Sequence, residues 1–498
     1  MEEKYKVEEN IIGKGAYGYV YRGENRQTHE KVAIKKISKD RILSSADASP
    51  EYYLKALEKE KENMKKCECE NVIKYYDYFE DEKFYIIIME LCDCTLLDYI
   101  NRLNINLTDK EIKDIFLELN NAFKIMVEKE IVHRDIKLEN ILVKLENNKI
   151  IPKLCDFGFS KEIKEKGINT HLGTENTCAP EIIEGKEYDS TVDLWSIGVI
   201  IYYCYFKEYP YKYKDMKKII KEKTLKYKKT KNDYLNDLID KLLKVNPNER
   251  NWKIYFTHPF FALNNIKEFN IGFKNENIKY YTALYQDEKG KVQNVLIKSI
   301  NNNNNEVDAA YYNEYGILEN FKRNKNILEK VNLYQFENNL VFFIYKCDEQ
   351  YLSLQEYFKT NNIEENELKK TILEFIKIFK KCNYEIFISI YFFVVNKKGE
   401  FKILDFCLNK CFLSEQEQKI YYSPNENEIK NSECKQKTYA MNFGITLLYI
   451  LNNLDKNIFY ENNKFTLNIK RPISPELKSL LSKCLCKDIK NRATWAEL

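Results

Sequence analysis

The chain has 498 residues, enough for two large domains or three small ones. Lysine and arginine total 80 against 76 aspartates and glutamates, and the net charge of +4 argues against a nucleic-acid-binding footprint. No stretch reaches the ~18 continuous apolar residues of a membrane span. The first residues, Met1-Glu2-Glu3-Lys4, carry no apolar run of the secretory kind. The 14 scattered cysteines lack matched C-x2-C pairs and fit the reduced thiols of a cytoplasmic protein. The lysines of 221–231 read as a solvated face and the asparagines of 301–305 as a loop.

In chain order, the first feature is Gly13-Lys14-Gly15-Ala16-Tyr17-Gly18, with Tyr19-Val20-Tyr21-Arg22 behind it alternating like a strand. A G-x-G-x-x-G run also marks dinucleotide-binding folds, but there the last glycine opens a helix. Here a second apolar run, Val32-Ala33-Ile34-Lys35, follows after a turn. The glycines therefore belong at a hairpin tip, where backbone amides can approach phosphates with no Cβ in the way. A lysine closing a strand is ordinarily solvated. The helix predicted over 51–67 offers Glu58, Glu60 and Glu62 as partners for Lys35. Phe84-Tyr85-Ile86-Ile87-Ile88-Met89 is a candidate buried strand, and 109–129 has the pattern of an amphipathic helix. Then come Ile131-Val132-His133-Arg134-Asp135-Ile136-Lys137-Leu138-Glu139-Asn140, a short hairpin, and Cys155-Asp156-Phe157-Gly158. These place Asp135, Asn140 and Asp156 on loops between short strands. Their oxygens are the hard ligands that Mg²⁺ prefers.

Taken together, the glycine loop, V-A-I-K, H-R-D-x-K-x-x-N and D-F-G, in this order and spacing, resemble the signature set of eukaryotic protein kinases. Lys137 resembles the serine/threonine class. Asp156-Phe157-Gly158-Phe159-Ser160 and His258-Pro259-Phe260-Phe261 resemble the calmodulin-dependent/AMP-activated group or its ULK-like relatives. The resemblance implies an α+β fold with a mainly β N-lobe and a mainly α C-lobe over 1–262, protein substrates, and ATP with Mg²⁺ as cofactors. It implies that Ile12, Gly13, Gly15, Gly18, Val20, Ala33, Lys35, Glu60, Met89, Glu90, Cys92 and Leu142 surround the nucleotide. It selects Glu60 as the partner of Lys35, makes Asn140 and Asp156 the metal ligands, and assigns catalysis to Asp135, Lys137 and Lys35. Asp193 would support the catalytic loop and Arg250 would pair with Glu181. Thr170 would be a phosphosite pairing with Arg134, and Glu139 would read a substrate arginine. Glu175 and Thr177 depart from the family pattern, which commonly has proline and an aromatic there.

An internal repeat appears when 270–498 is laid under 1–262. Lys298, Glu314, Asn326-Ile327-Leu328, Asp405-Phe406, Gly444 and Arg492 echo Lys35, Glu60, Asn71-Val72-Ile73, Asp156-Phe157, Gly198 and Arg250. Counting back from Lys298 puts Asn277, Lys279 and Thr282 at the loop-glycine places. Glu385-Ile386-Phe387-Ile388-Ser389-Ile390-Tyr391 replaces the catalytic loop, and Tyr439 replaces Asp193. This half resembles a pseudokinase. The expected organisation is tandem kinase-like folds: a kinase domain over 1–262, a linker over 263–279, and a pseudokinase-like domain over 280–498. The second domain would regulate the first or dock a regulatory partner, with no nucleic-acid or membrane partner. The competing reading is a catalytically silent scaffold built of two kinase folds.

Overall fold

The first ninety residues mix β-branched and aromatic side chains with charged ones, the composition of a half-buried sheet. In the computed structural model, Tyr5–Lys14, Gly18–Asn25, Lys31–Ser38, Tyr75–Glu80 and Phe84–Glu90 form an antiparallel sheet in the order first, second, third, fifth, fourth. Its register sets Val20 opposite Lys35, Lys35 opposite Ile87, and Ala33 opposite Met89. Val32, Ile34, Ile86 and Ile88 bury one face with Tyr5. The helix Pro50–Lys66 lies between the third and fourth strands in sequence. The structure describes the chain except 15–17, 44–49, 104–105, 148, 158–160, 163–175, 270–277, 288–289, 302–326, 338–339, 348–350, 360, 362–364, 382–392, 397, 405–431, 452–472, 487–490 and 495–496.

Helices follow. Thr108 opens Asp109–Glu128 with a capping box: its side chain accepts from the Glu111 amide, and Glu111 reaches back to the Thr108 amide. Ile112, Ile115, Phe116, Leu119, Phe123 and Met126 repeat at helical spacing and are buried. Thr191–Phe206 is apolar nearly all round and sits inside the core. Cys94–Thr95, Ile141–Glu146 and Lys149–Leu154 form a small sheet, and the candidate catalytic loops adjoin the ends of its last two strands.

The chain divides into two compact units, Met1–Phe261 and Ala262–Leu498. The second has its own five-stranded antiparallel sheet: Leu263–Glu268, Ile278–Gln286, Val292–Asn301, Lys330–Gln335 and Leu340–Lys346, again with the fifth strand between the third and fourth. Tyr351–Ser353, Phe393–Asn396 and Phe401–Ile403 form a second small sheet. The isolated parallel bridge between Val72 and Leu154 recurs between Ile327 and Ile403. The helices Glu365–Lys381, Ser432–Leu451 and Pro475–Cys484 belong to the same unit. No described helix is long and apolar enough to cross a membrane.

Two expectations need correction. The stretch 263–279 begins as the first strand of the second sheet, with Leu263 opposite Tyr285 and Lys267 opposite Thr282. Only Leu263 of that strand is buried, so its polar composition is that of an edge strand. Counting back from Lys298 also fails. The register pairs Tyr280 with Lys298 and Ile278 with Ile300, as Val20 pairs with Lys35 and Gly18 with Ile37. Ile278 therefore occupies the place of Gly18, and Thr282 lies farther along its strand. The hairpin between the second and third strands is longer in the second unit, which shifts any count made across it. Asn277 is outside the described residues.

Candidate active site

Lys35 emerges from the third strand with its ammonium 2.9 Å from Glu60 Oε1 and 3.9 Å from Asp156 Oδ1. Of the three candidate acids Glu60 is the buried one, and Met64, one turn on, anchors that helix in the core. Burial alone would push the Lys35 ammonium down. The attraction of Glu60, then of Asp156, outweighs it, so the net direction is up and the group stays cationic. Behind the helix, Val72 bridges to Leu154, and Asn71 Nδ2 donates to Pro152 O at 3.0 Å. These bonds tie the segment after the Glu60 helix to the strand that delivers Asp156.

The catalytic-loop candidates hang on Asp193. Its carboxylate accepts the His133 amide at 2.8 Å and the Arg134 amide at 2.9 Å, and it is fully buried. Burial pushes this carboxyl up, against the pull of His133 and the two amides. The backbone is left-handed at Arg134 (φ 68°) and at Asp156 (φ 66°), a strain that non-glycine residues carry mostly where the surroundings enforce it. Asp135, 3% exposed, accepts from Lys137 Nζ at 2.6 Å and from Asn140 Nδ2 at 3.0 Å through the same oxygen. Asn140 Nδ2 also donates to Asp135 O at 2.9 Å. The Cys155 amide donates to Asn140 O at 2.9 Å, His133 Nε2 donates to Cys155 O at 3.1 Å, and the His133 ring lies 4.9 Å from that of Phe157. One connected set of contacts thus brings Lys35, Glu60, Asp156, Asn140, Asp135 and Lys137 together.

Of the remaining candidates, register sets Val20 opposite Lys35 and Met89 opposite Ala33. Val20, Met89, Cys92 and Leu142 are half-buried and Ala33 is buried, whereas Ile12 is exposed and Gly13 partly so. A Cβ on Gly18 would stand 1.9 Å from Lys36 O, so only glycine fits. Gly15, Gly158, Thr170 and Glu175 lie outside the described residues, as do Glu314, Asn326, the loop 385–391, Asp405 and Phe406 of the second unit. Glu90 turns its carboxylate to Lys144 and Lys153, each at 3.1 Å, leaving only backbone for a ligand. The motifs gave no sign of this buried cluster. The one hint in the chain was Lys153, set between the apolar Pro152 and Leu154. Burial pushes the Cys92 thiol up to about 12, and Cys155 also moves up, so neither is a thiolate nucleophile. Away from the cleft, Arg250 Nη2 reaches both Glu181 oxygens at 2.6 Å.

The oxygens available suit Mg²⁺. Asn140 commits its amide nitrogen to Asp135, which leaves the oxygen end for a cation. The Asp156 side chain keeps 37% of its surface. A carboxylate and an amide, completed by phosphate oxygens and water, make a normal magnesium shell.

Comparison with known proteins agrees with this geometry. Residues 5–261 match the protein kinase domain. Serine/threonine-protein kinase 33 of Bos taurus is 32% identical over 258 residues, which cover 48% of this chain and 51% of that protein. Serine/threonine-protein kinase atg1 of Dictyostelium discoideum is 30% identical over 262 residues (51% and 39%). NUAK family SNF1-like kinase 1 of Mus musculus is 33% identical over 255 residues (50% and 37%). The chain spans less than two thirds of the length of each of these relatives. With the domain match covering more than half of its residues, the chain belongs to the protein kinase family.

Proposed function

We propose that Met1–Phe261 transfers the γ-phosphate of ATP to serine or threonine hydroxyls of protein substrates in the cytoplasm, and that Ala262–Leu498 is a degenerate kinase fold that regulates it or docks a partner. The observation that carries the reading is the unbroken contact set from Glu60 and Lys35 through Asp156 and Asn140 to Asp135 and Lys137. Phosphoryl transfer needs positioning and charge neutralisation more than covalent help. Lys35, held by Glu60, fits the α/β-phosphates, and Lys137 fits the γ-phosphate. Asp135 orients the acceptor hydroxyl and takes its proton. Asn140 and Asp156 would hold Mg²⁺, which supplies neutralisation of phosphate charge when bound. Ile12, Gly13, Gly15, Gly18, Val20, Ala33, Met89, Cys92 and Leu142 enclose the nucleotide.

Regulation through Thr170 draws support from Arg134, whose Nε is buried without a hydrogen-bond partner while Nη1 donates to Tyr188. A phosphate on the activation segment would supply an acceptor. For the second unit, support comes from the sequence 385–391, which keeps neither the aspartate nor the asparagine of H-R-D-x-K-x-x-N, and from Tyr439 at the place of Asp193.

The test is phosphate incorporation into a generic basic protein by the full chain. Asp135→Asn should lower the rate by about 10²–10⁴-fold with nucleotide affinity retained. Equal incorporation by the two proteins would leave the scaffold reading standing. Truncation after the first unit should change rate or ATP affinity if the second unit regulates.

A further inference from the structure

Register fixes which residues of the second sheet stand where the first lines its cleft. Lys35 lies opposite Val20 and Ile87, and Ala33 opposite Met89. Lys298 lies opposite Tyr280 and Phe343, and Leu296 opposite Tyr345. In the small sheets, Leu142 pairs with Lys153 next to the Ile141–Leu154 pair, and Val394 pairs with Lys402 next to the Phe393–Ile403 pair. The recurring parallel bridge equates Leu154 with Ile403, so Val394 stands for Leu142 and Leu404 for Cys155.

Four positions have gained bulk: isoleucine for Gly18, tyrosine for Val20, leucine for Ala33 and tyrosine for Met89. Exposure changes with them. In the first unit the Lys35 side chain keeps 24% of its surface, and Val20, Met89, Leu142 and Cys155 are all partly open. In the second, Lys298, Tyr345 and Val394 have none, Leu404 has 1% and Tyr280 has 3%. Ile278, Tyr280, Leu296, Phe343, Tyr345, Val394 and Leu404 belong to one continuous apolar core. The Lys298 ammonium lies 6.0 Å from the centre of the Phe343 ring, within cation–π range. A purine needs an open slot with an apolar roof and floor. Here side chains of the unit itself take that space.

Resting on the reading of Ala262–Leu498 as a degenerate kinase fold, we infer that its cleft is closed by Tyr280, Leu296 and Tyr345 and takes no nucleotide, and that Lys298 is a structural cation in the core. Control by this unit then runs through protein contacts and does not follow ATP concentration.

An acyl-phosphate derivative of ATP tests this on the full chain. A lysine amine beside the phosphates attacks the acyl carbonyl, forms an amide and releases ATP, and mass spectrometry reads the site. The expected result is a Lys35 adduct that is lost when excess ATP competes, with no adduct at Lys298. Equilibrium dialysis with radiolabelled ATP and Mg²⁺ should find a single nucleotide per chain. An ATP-competed adduct at Lys298, or a second bound nucleotide, would overturn the inference. No competed adduct at Lys35 and no bound nucleotide would instead sink the kinase reading of the first unit while leaving the closed cleft intact.

Discussion

Gly198 and Gly444 hold the same place in the helices Thr191–Phe206 and Ser432–Leu451. A Cβ on Gly198 would lie 2.8 Å from Leu242 Cβ and 2.9 Å from Leu243 Cδ2. On Gly444 it would lie 2.6 Å from Cys484 Cβ and 3.0 Å from Leu485 Cδ2. Five residues before each glycine, the units diverge: Asp193 accepts two catalytic-loop amides, whereas Tyr439 packs at the edge of an apolar core. The difference separates two kinds of constraint. Positions held by close approach of neighbouring elements persist in both units, because the same helices still pack there. The Asp193 place, held by hydrogen bonds to the loop that carries Asp135, keeps its carboxylate only in the unit where that loop has a catalytic aspartate.

The largest stability effect should come from a charge pair in the first unit. Arg250→Leu leaves Glu181, with its side chain 3% exposed, without its cation, and should cost about 3–5 kcal/mol in denaturant unfolding. A loss below about 1 kcal/mol would mean the pair is not enclosed as described. Next, Gly198→Ala and Gly444→Ala should each cost about 1–3 kcal/mol through overpacking. Similar losses in the two variants would sharpen the equivalence of the helices, and a neutral Gly444→Ala would break it. A smaller change of opposite sign is expected two residues before Gly444. Asn442 is fully buried with neither amide atom hydrogen-bonded, whereas its counterpart Ser196 donates to Thr177 O at 2.8 Å. Asn442→Leu should therefore stabilise the chain by about 1 kcal/mol, read as a raised melting temperature.

Much of this was legible in the chain because kinase chemistry concentrates in short runs. Asp135, Lys137 and Asn140 occupy a single loop, and a loop's content survives in one dimension. The Lys35–Glu60 contact was legible only through the family resemblance, since the helix alone left Glu58, Glu60 and Glu62 open; the structure pairs Lys35 with Glu60. Three features resisted. The strand Leu263–Glu268 shows one buried apolar residue, so no alternation marked it. The replacement of Gly18 by Ile278 was hidden by a longer hairpin, which moves a residue count but leaves strand pairing untouched. The turning of Glu90 toward Lys144 and Lys153 depends on three strands meeting, of which the chain shows no more than a lysine, Lys153, between two apolar residues.

The smallest effect is a pH dependence confined to one unit. All four histidines, His29, His133, His171 and His258, fall in the first half of the chain. His258 is fully buried: its Nδ1 accepts the Phe260 amide at 3.1 Å, and its Nε2 donates to Asp237 Oδ2 at 3.0 Å. With Nδ1 already receiving a proton donor, a second ring proton has nowhere to point. Burial pushes the His258 pKa down, Asp237 opposing only in part. The unfolded imidazole, at its ordinary value of about 6.5, therefore binds a proton before the folded one as pH falls. Stability from this group is complete above about pH 6.5 and is lost progressively below it, toward the depressed folded value. Hydrogen exchange should show protection falling across Asp233–Leu242 and Trp252–Phe256 as pH drops from about 7 to about 5.5, after correction for intrinsic rates, with Ser432–Leu451 unchanged. An equal fall in both units would assign the loss to carboxylates, which both possess, and remove His258 as its source.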